Sequence, residues 1–174
     1  MEDVLDAARR VVSTTAARWQ SLVERMPPEL LERPPAPGEW SAADCLRHLL
    51  RVERQVLPVR VRLVLEGRDL ASFDPGAADE PAPERTPREV LDAFVALRRE
   101  NEALLAGIAA ADLDRSSRHP EYGSVSLRTL LNVWAAHDLQ HTVQAEEALM
   151  QPFIPDTGPF RFRFADHDRA AVLG

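Results

Sequence analysis

Two histidines four residues apart lie in a segment whose apolar residues have helical spacing. His137 and His141 follow Leu130 and Trp134 on the same stripe of residues 126–150. At this separation on a helix, their Cβ atoms lie about 6 Å apart on one face, close enough for both imidazoles to bind one metal ion. A buried ring nitrogen without a partner costs about 1–3 kcal/mol, so the ring nitrogens of these histidines need a hydrogen-bond or metal partner.

A third histidine has inward-facing spacing on another segment. His48 lies one turn from Cys45 and one turn from Val52, which are both expected in the core. Three imidazoles from two helices would form a divalent-metal site with positions left for water or substrate, and Zn, Ni, Co and Fe all suit such ligands. The alternative is that the three are hydrogen-bonded core histidines, which is the usual role of a single inward-facing histidine.

A different metal geometry is also compatible with the sequence. Residues 137–141 read HDLQH, one methylene short of the HExxH motif of zinc proteases, with Asp138 as the candidate base and His167 as a candidate third ligand. Asp138 has a shorter reach than glutamate and lies about 100° from His137 around the helix. The zinc-protease scaffold also needs a substrate-binding sheet, and the sequence has almost no strand pattern.

Hydrophobic periodicity predicts four helices that would position the histidines. They cover about residues 3–26, 41–66, 87–109 and 126–150. Ser41, Thr86 and Ser126 are the expected N-caps, the first two with an acidic residue three positions later. Pro58 is expected to kink the second helix.

These segments predict one all-α domain over residues 1–174, a four-helix bundle. Two of its connections are long enough to cross the bundle. The last 24 residues, 151–174, are expected to form an extended aromatic tail, in which the alternation FRFRF at 160–164 permits a small two-stranded pairing.

Composition and charge exclude several function classes. The single cysteine excludes a disulfide scaffold, and the 21 basic residues are all arginine, which excludes lysine Schiff-base and P-loop chemistry. A net charge of −7 argues against direct nucleic-acid binding and against anionic membrane surfaces. With neither a signal peptide nor an apolar span of about 18 residues in the sequence, we expect a cytoplasmic protein.

Three sequence blocks resemble the DinB-like superfamily of four-helix-bundle proteins. They are PGEWS at 37–41 leading into LRHL at 46–49, then HP at 119–120 with Gly123 and VSL at 125–127, and WAAHDLQH at 134–141. The order and spacing of the blocks are more specific than any one block, and together they cover the whole bundle.

The resemblance implies that His48, His137 and His141 coordinate one divalent metal ion. It also implies a crossover topology and a homodimer. Because relatives use small thiols, the resemblance suggests a metal-dependent enzyme that acts on a small-molecule substrate in detoxification or stress response. Such an enzyme would activate a low-molecular-weight thiol for transfer to the substrate, or water for its hydrolysis. The alternative is a non-catalytic, metal-binding dimeric bundle that binds a partner or metabolite.

Several neighbouring residues are secondary candidates. Asp44 and Gln144 are each placed to orient a histidine ring, although Asp44 is equally suited to capping its helix. Cys45 is expected to be a small core residue. His119 is expected to have a turn role, and Glu53 and Glu147 are expected on helix surfaces. The arginines that could hold an anionic substrate, although surface positions suit them better, are Arg47, Arg51 and Arg128.

Overall fold

The structure, a computed structural model, describes residues 4–72 and 86–169. The predicted start of the first helix at residue 3, part of the loop before residue 86 and the end of the tail lie outside the described residues. The α-helices are α1 (Val4–Arg25), α2 (Pro28–Leu31), α3 (Ala42–Gln55), α4 (Leu57–Leu65), α5 (Pro87–Ala106) and α6 (Leu127–Met150). The strands of one hairpin are β1 (Ser116–His119) and β2 (Gly123–Ser126).

The long helices form a four-helix bundle in which α4 continues the line of α3, so the predicted fold class is confirmed. Helix α1 packs against α5 and α6, and α3 packs against the same two helices. Helices α1 and α3 therefore lie at opposite corners, as do α5 and α6, and the connections between α1 and α3 and between α5 and α6 cross the bundle. No helix in the described part of the chain is long and apolar enough to cross a membrane.

The helix starts follow from local sequence. Ser41 and Thr86 each accept a hydrogen bond from the backbone N–H three residues on, and the carboxylates of Asp44 and Glu89 accept one from the backbone N–H of the cap residue. Ser126 caps α6 in the same way through Thr129. These capping interactions satisfy backbone donors that the first turn of a helix leaves without partners.

The predicted second helix is interrupted near Pro58. The break falls at Val56, whose φ of −120° and ψ of −77° are not helical, and Pro58 occupies the first turn of α4. Proline is tolerated there because its missing N–H would have no partner in the helix anyway. Val59, which follows the break, is 37% exposed.

The predictions for the loops and the tail need correction. The two-stranded pairing lies before α6, where Ser117 pairs with Val125 and His119 with Gly123, rather than in the tail. Residues Ile154–Phe164 are not extended but form 3₁₀ turns, interrupted at Gly158, whose φ is +54°. Proline and glycine at 158–159 favour tight turns over the continuous ladder that a strand requires.

Candidate metal centre

The three candidate ligands come together between α3 and α6. His48 projects from the middle of α3, and His137 and His141 lie on successive turns of α6. One ring nitrogen from each lies within 4.8 Å of the others, and His48 Nε2 is 3.0 Å from His137 Nε2. The sequence therefore identified side chains that converge from two helices.

The nitrogen spacing fits a metal ion. Metal–nitrogen bonds of about 2.0–2.1 Å place two ligand nitrogens about 2.9–3.4 Å apart for bond angles between about 90° and 109°. The His48–His137 pair already has this separation. The longest separation, within 4.8 Å, requires a side-chain adjustment of at most about 1.4 Å to reach the same range.

A network of hydrogen-bonded core histidines explains the same cluster less well. His48 and His137 can form one Nε2–Nε2 hydrogen bond, with one ring donating. His137 Nδ1 is then buried and has no hydrogen-bond partner among the described residues. A structural histidine at this position would be expected to satisfy both ring nitrogens, because an unpartnered one costs about 1–3 kcal/mol.

The rings are held in the neutral, metal-binding form. Burial, with His141 and Arg51 nearby, lowers the pKa of His48 from 6.5 to about 4. Burial and the neighbouring His141 and His48 lower the pKa of His137 to about 3. Burial also lowers the pKa of His141, against a smaller opposing effect of its hydrogen bond to Gln144. Unprotonated imidazole is the form that coordinates metals, so no proton needs to be displaced near neutral pH.

Gln144 and Trp40 hold His141 from two sides. Gln144 Oε1 lies 2.9 Å from His141 Nδ1, as its spacing suggested, which leaves His141 Nε2 available to the cluster. The indole of Trp40 stacks on His141 with ring centroids 5.7 Å apart and contacts His48 at 4.9 Å. Such packing fixes ring orientation, which metal sites need as much as the ligands themselves.

Asp44 is used for capping instead. Its carboxylate accepts hydrogen bonds from the Ser41 backbone and hydroxyl and from Arg47. These contacts engage Asp44 with Ser41 and Arg47, so they do not orient His48 as the sequence suggested. The polar group beside His48 Nδ1 is Arg51, whose Nη2 lies 3.4 Å away.

A cavity of about 440 Å³ adjoins the histidines. Its walls come from the connector before α3, from the carboxyl half of α6 and from the tail. The lining residues are Pro35, Gly38, Glu39, Trp40, His141, Gln144, Glu147, Ala148 and Arg169. The volume is in the range of small-molecule sites, and His141 and Trp40 join it to the cluster.

A buried group of charges lies behind the histidines. Arg98 of α5 is 1% exposed and donates to Asp138 of α6 at 2.6 Å and to the Val12 carbonyl of α1 at 3.0 Å. Its Nη2 lies 2.9 Å from Glu53 of α3, which also accepts from Asn101. Arg98 thus contacts the other three long helices of the bundle.

Glu53, Arg98 and Asp138 form a buried ion triad, and their positions differ from two expectations drawn from the sequence. Glu53 is 1% exposed rather than on the surface, because α3 packs against both α5 and α6 and so buries a wider face than one stripe. Asp138 is also 1% exposed and faces Arg98, so it is not placed as the base of an HExxH-type site. His167 lies beside Glu147, 3.3 Å away, and is outside the histidine cluster.

The remaining candidates have structural positions. Arg47 pairs with Glu32 and Asp44, and Arg128 pairs with Asp114, both near the surface. Cys45 is fully buried, and burial raises the pKa of its thiol to about 12. The turn role expected for His119 fits its position, because its Nδ1 accepts from the Glu121 backbone in the hairpin turn.

Sequence reasoning missed Arg98 and Arg169. A usable signal existed for the triad, since Glu53, Arg98 and Asp138 each follow a buried apolar residue by four positions, namely Leu49, Phe94 and Trp134. For Arg169 there was none. Arg169 reaches the cavity from the tail, and the spacing of residues near it in the sequence does not indicate this contact with distant segments.

Comparison with known proteins agrees with this architecture. A model of the DinB superfamily matches residues 12–145. A solved structure described as "YfiT from Bacillus subtilis is a probable metal-dependent hydrolase with an unusual four-helix bundle topology" matches with a TM-score of 0.70 and 21% identity, over 85% of this chain and 87% of that one. A conserved protein from Enterococcus faecalis matches with a TM-score of 0.59 and 15% identity, over 86% of this chain and 97% of that one. No curated protein sequence matches the chain.

Proposed function

Because the chain belongs to the DinB superfamily, we propose that His48, His137 and His141 hold one divalent metal ion and that the protein is a metal-dependent enzyme acting on a small molecule. The convergence of three neutral imidazoles within 4.8 Å carries this proposal. The match to YfiT, described as a probable metal-dependent hydrolase, supports it at the level of fold and reaction type.

A divalent cation at this position would activate a small thiol or a water molecule as a nucleophile near neutral pH, for transfer or hydrolysis in detoxification. The chain's own residues prepare the site for that chemistry. Gln144 orients His141, and Trp40 shields the rings of His48 and His141 on the cavity side. The 440 Å³ cavity gives a substrate access to the cluster.

Three neutral ligands would leave the full charge of a bound cation uncompensated by protein carboxylates. The nearest buried carboxylate on α6, Asp138, is engaged by Arg98. An anionic nucleophile at the site would therefore be stabilised more strongly than it would be beside a carboxylate ligand. This charge balance favours nucleophile generation over a purely structural metal.

Metal content is the first test of the proposal. We expect near-stoichiometric divalent metal in the purified protein, strong loss in His48→Ala, and retention in His167→Ala, which removes a histidine outside the cluster. Equal metal content in both variants would contradict the three-histidine site.

Reaction type requires a second measurement on the metal-loaded protein. A cobalt-substituted sample is titrated with small thiols, because a sulfur–cobalt bond adds charge-transfer absorption. New bands together with turnover of an electrophile would support thiol transfer, and turnover of an ester or amide without thiol would support hydrolysis. Metal occupancy with neither activity would favour the non-catalytic dimeric bundle.

A further inference from the structure

The cavity beside His141 has an unusual set of charges on its outer wall. Glu39 lies on the connector before α3, Glu147 is on α6, and Arg169 comes from the tail. Arg169 Nη2 is 3.4 Å from Glu147, and its Nε is 3.8 Å from Glu39. The single guanidinium is thus shared by two carboxylates, and the wall has an excess negative charge.

We propose that this wall makes the enzyme select substrates or thiol co-substrates that carry a protonated amine at the end remote from the histidine cluster. The inference deepens the proposed function and rests on it. Glu147 and Glu39 are the specificity-determining residues, and Arg169 limits how strongly they attract a cation.

An anionic group would bind less well at the same place. It would have to take Arg169 from Glu147 and Glu39 while approaching both carboxylates, which costs electrostatic energy. An ammonium group can instead bind beside Glu147 and Glu39, which together carry one more charge than Arg169 compensates. It adds the charge that the wall lacks and displaces no existing pair.

The position of the charges sets the length of the ligand. Glu147 follows His141 by six residues on α6, which corresponds to about 9 Å along the helix axis. Trp40, Pro35 and Ala148 also line the cavity and suit a chain of methylene or similar groups. A short amine cannot span this distance, so the selection depends on both charge and length.

Thiols of equal length test the proposal. Aminohexanethiol, mercaptohexanol and mercaptohexanoate share a thiol and differ in the remote group, and cysteamine supplies the same amine on a shorter chain. Their binding to cobalt-loaded protein is measured by calorimetry, with sulfur–cobalt absorption recorded in parallel. Because Glu147 and Arg169 are 29% and 39% exposed, solvent screening limits the expected preference for aminohexanethiol over mercaptohexanol to about three- to fivefold.

Two substitutions in the wall should act in opposite directions. Glu147→Gln should remove most of the preference for the amine, whereas Arg169→Gln should increase it. Glu146→Gln on the exposed face of α6 changes the net charge equally without lining the cavity, and it should leave the preference unchanged. General damage to the fold would weaken binding in both wall variants and could not produce opposite shifts.

Each outcome separates this inference from the proposed thiol chemistry. An amine preference in calorimetry without sulfur–cobalt absorption would retain the charge selection and reject thiol coordination. Sulfur–cobalt absorption with equal binding of all remote groups would retain thiol coordination and overturn the selection. A preference for mercaptohexanoate that Arg169→Gln removes would also overturn it, as would no binding by any probe or an equal preference at the cysteamine length.

Discussion

Arg98→Met is the sharpest test of how the bundle is held together. The substitution keeps an unbranched side chain of similar length and removes the only positive charge in contact with Glu53 and Asp138 in the described core. Arg98 also contacts the face of Phe94, with its guanidinium carbon 4.8 Å from the ring centroid, so methionine preserves part of the packing there. The main change is therefore electrostatic.

The expected loss of unfolding free energy is about 3–5 kcal/mol, the range for removing one partner of a buried ion pair. Two carboxylates lose their partner here, while protonation of one or both limits the cost. For a domain of this size, each kcal/mol lowers the melting temperature by about 2–4 °C, so a decrease of about 6–20 °C is expected.

The loss should depend on pH with a defined sign. Burial raises the pKa of Glu53 from 4.5 to about 7, against the opposing effect of Arg98, and burial also raises the pKa of Asp138. A carboxyl with a raised folded-state pKa contributes stability that is full below the unfolded value and is lost as pH rises through the folded value. Without Arg98 both pKa values rise further, so the cost of the substitution should be largest near pH 8 and smaller near about pH 5.

Denaturant unfolding at both pH values provides the measurement. Arg99→Met is the matched control, since Arg99 is the exposed neighbour on α5, and it should change stability by no more than about 0.5 kcal/mol. Combining Arg98→Met with Glu53→Gln and Asp138→Asn should recover much of the loss, because uncharged amides cost less to bury. A loss below about 1 kcal/mol, or one that is the same at both pH values, would refute the electrostatic reasoning.

Two further predictions concern the metal centre. Gln144→Ala should weaken metal affinity about 10- to 100-fold because His141 loses its orienting contact, while the substitution Gln140→Ala at an exposed position should not. Competition with a chelator measures the metal affinity of both variants, and equal affinities would reject the role of Gln144. Because the pKa values of His48 and His137 are lowered to about 4 and 3, proton competition should release metal only well below pH 6.5, and half-release near pH 6.5 in a colorimetric assay would contradict the lowered values.

The parts of the fold that depend on local chemistry were predictable from the sequence. Ser41, Thr86 and Ser126 cap helices within their own first turns, and Pro58 interrupts the helix that contains it. The inward direction of His48, His137 and His141 follows from spacing along single helices. Their convergence does not follow from spacing, because the periodicity of one helix does not show which other helices it packs against. The convergence was predicted from the three sequence blocks that resemble the DinB-like superfamily.

The missed features depend on contacts between distant segments. The burial of Glu53 requires knowing that α3 has neighbours on two sides, and the position of Arg169 requires knowing that the tail returns to α6. The tail also shows how composition can mislead. Alternating Phe and Arg at 160–164 has the period of a strand, but the preceding Gly158 and Pro159 direct the backbone into turns, and the described hairpin contains only β1 and β2.

The ion triad and the histidine cluster are best understood as one construction across the same pair of helices. Arg98 joins Glu53 of α3 to Asp138 of α6, and one residue away His137 of α6 meets His48 of α3 at 3.0 Å. A buried ion triad is costly to desolvate and contributes less to stability than its close contacts suggest. It does, however, fix the separation of two helices, since neither carboxylate can withdraw from Arg98 without leaving a buried charge unpaired. The geometry that three imidazoles need for one cation depends on that same separation, which gives the triad a structural reason to be retained in a core that apolar residues could fill.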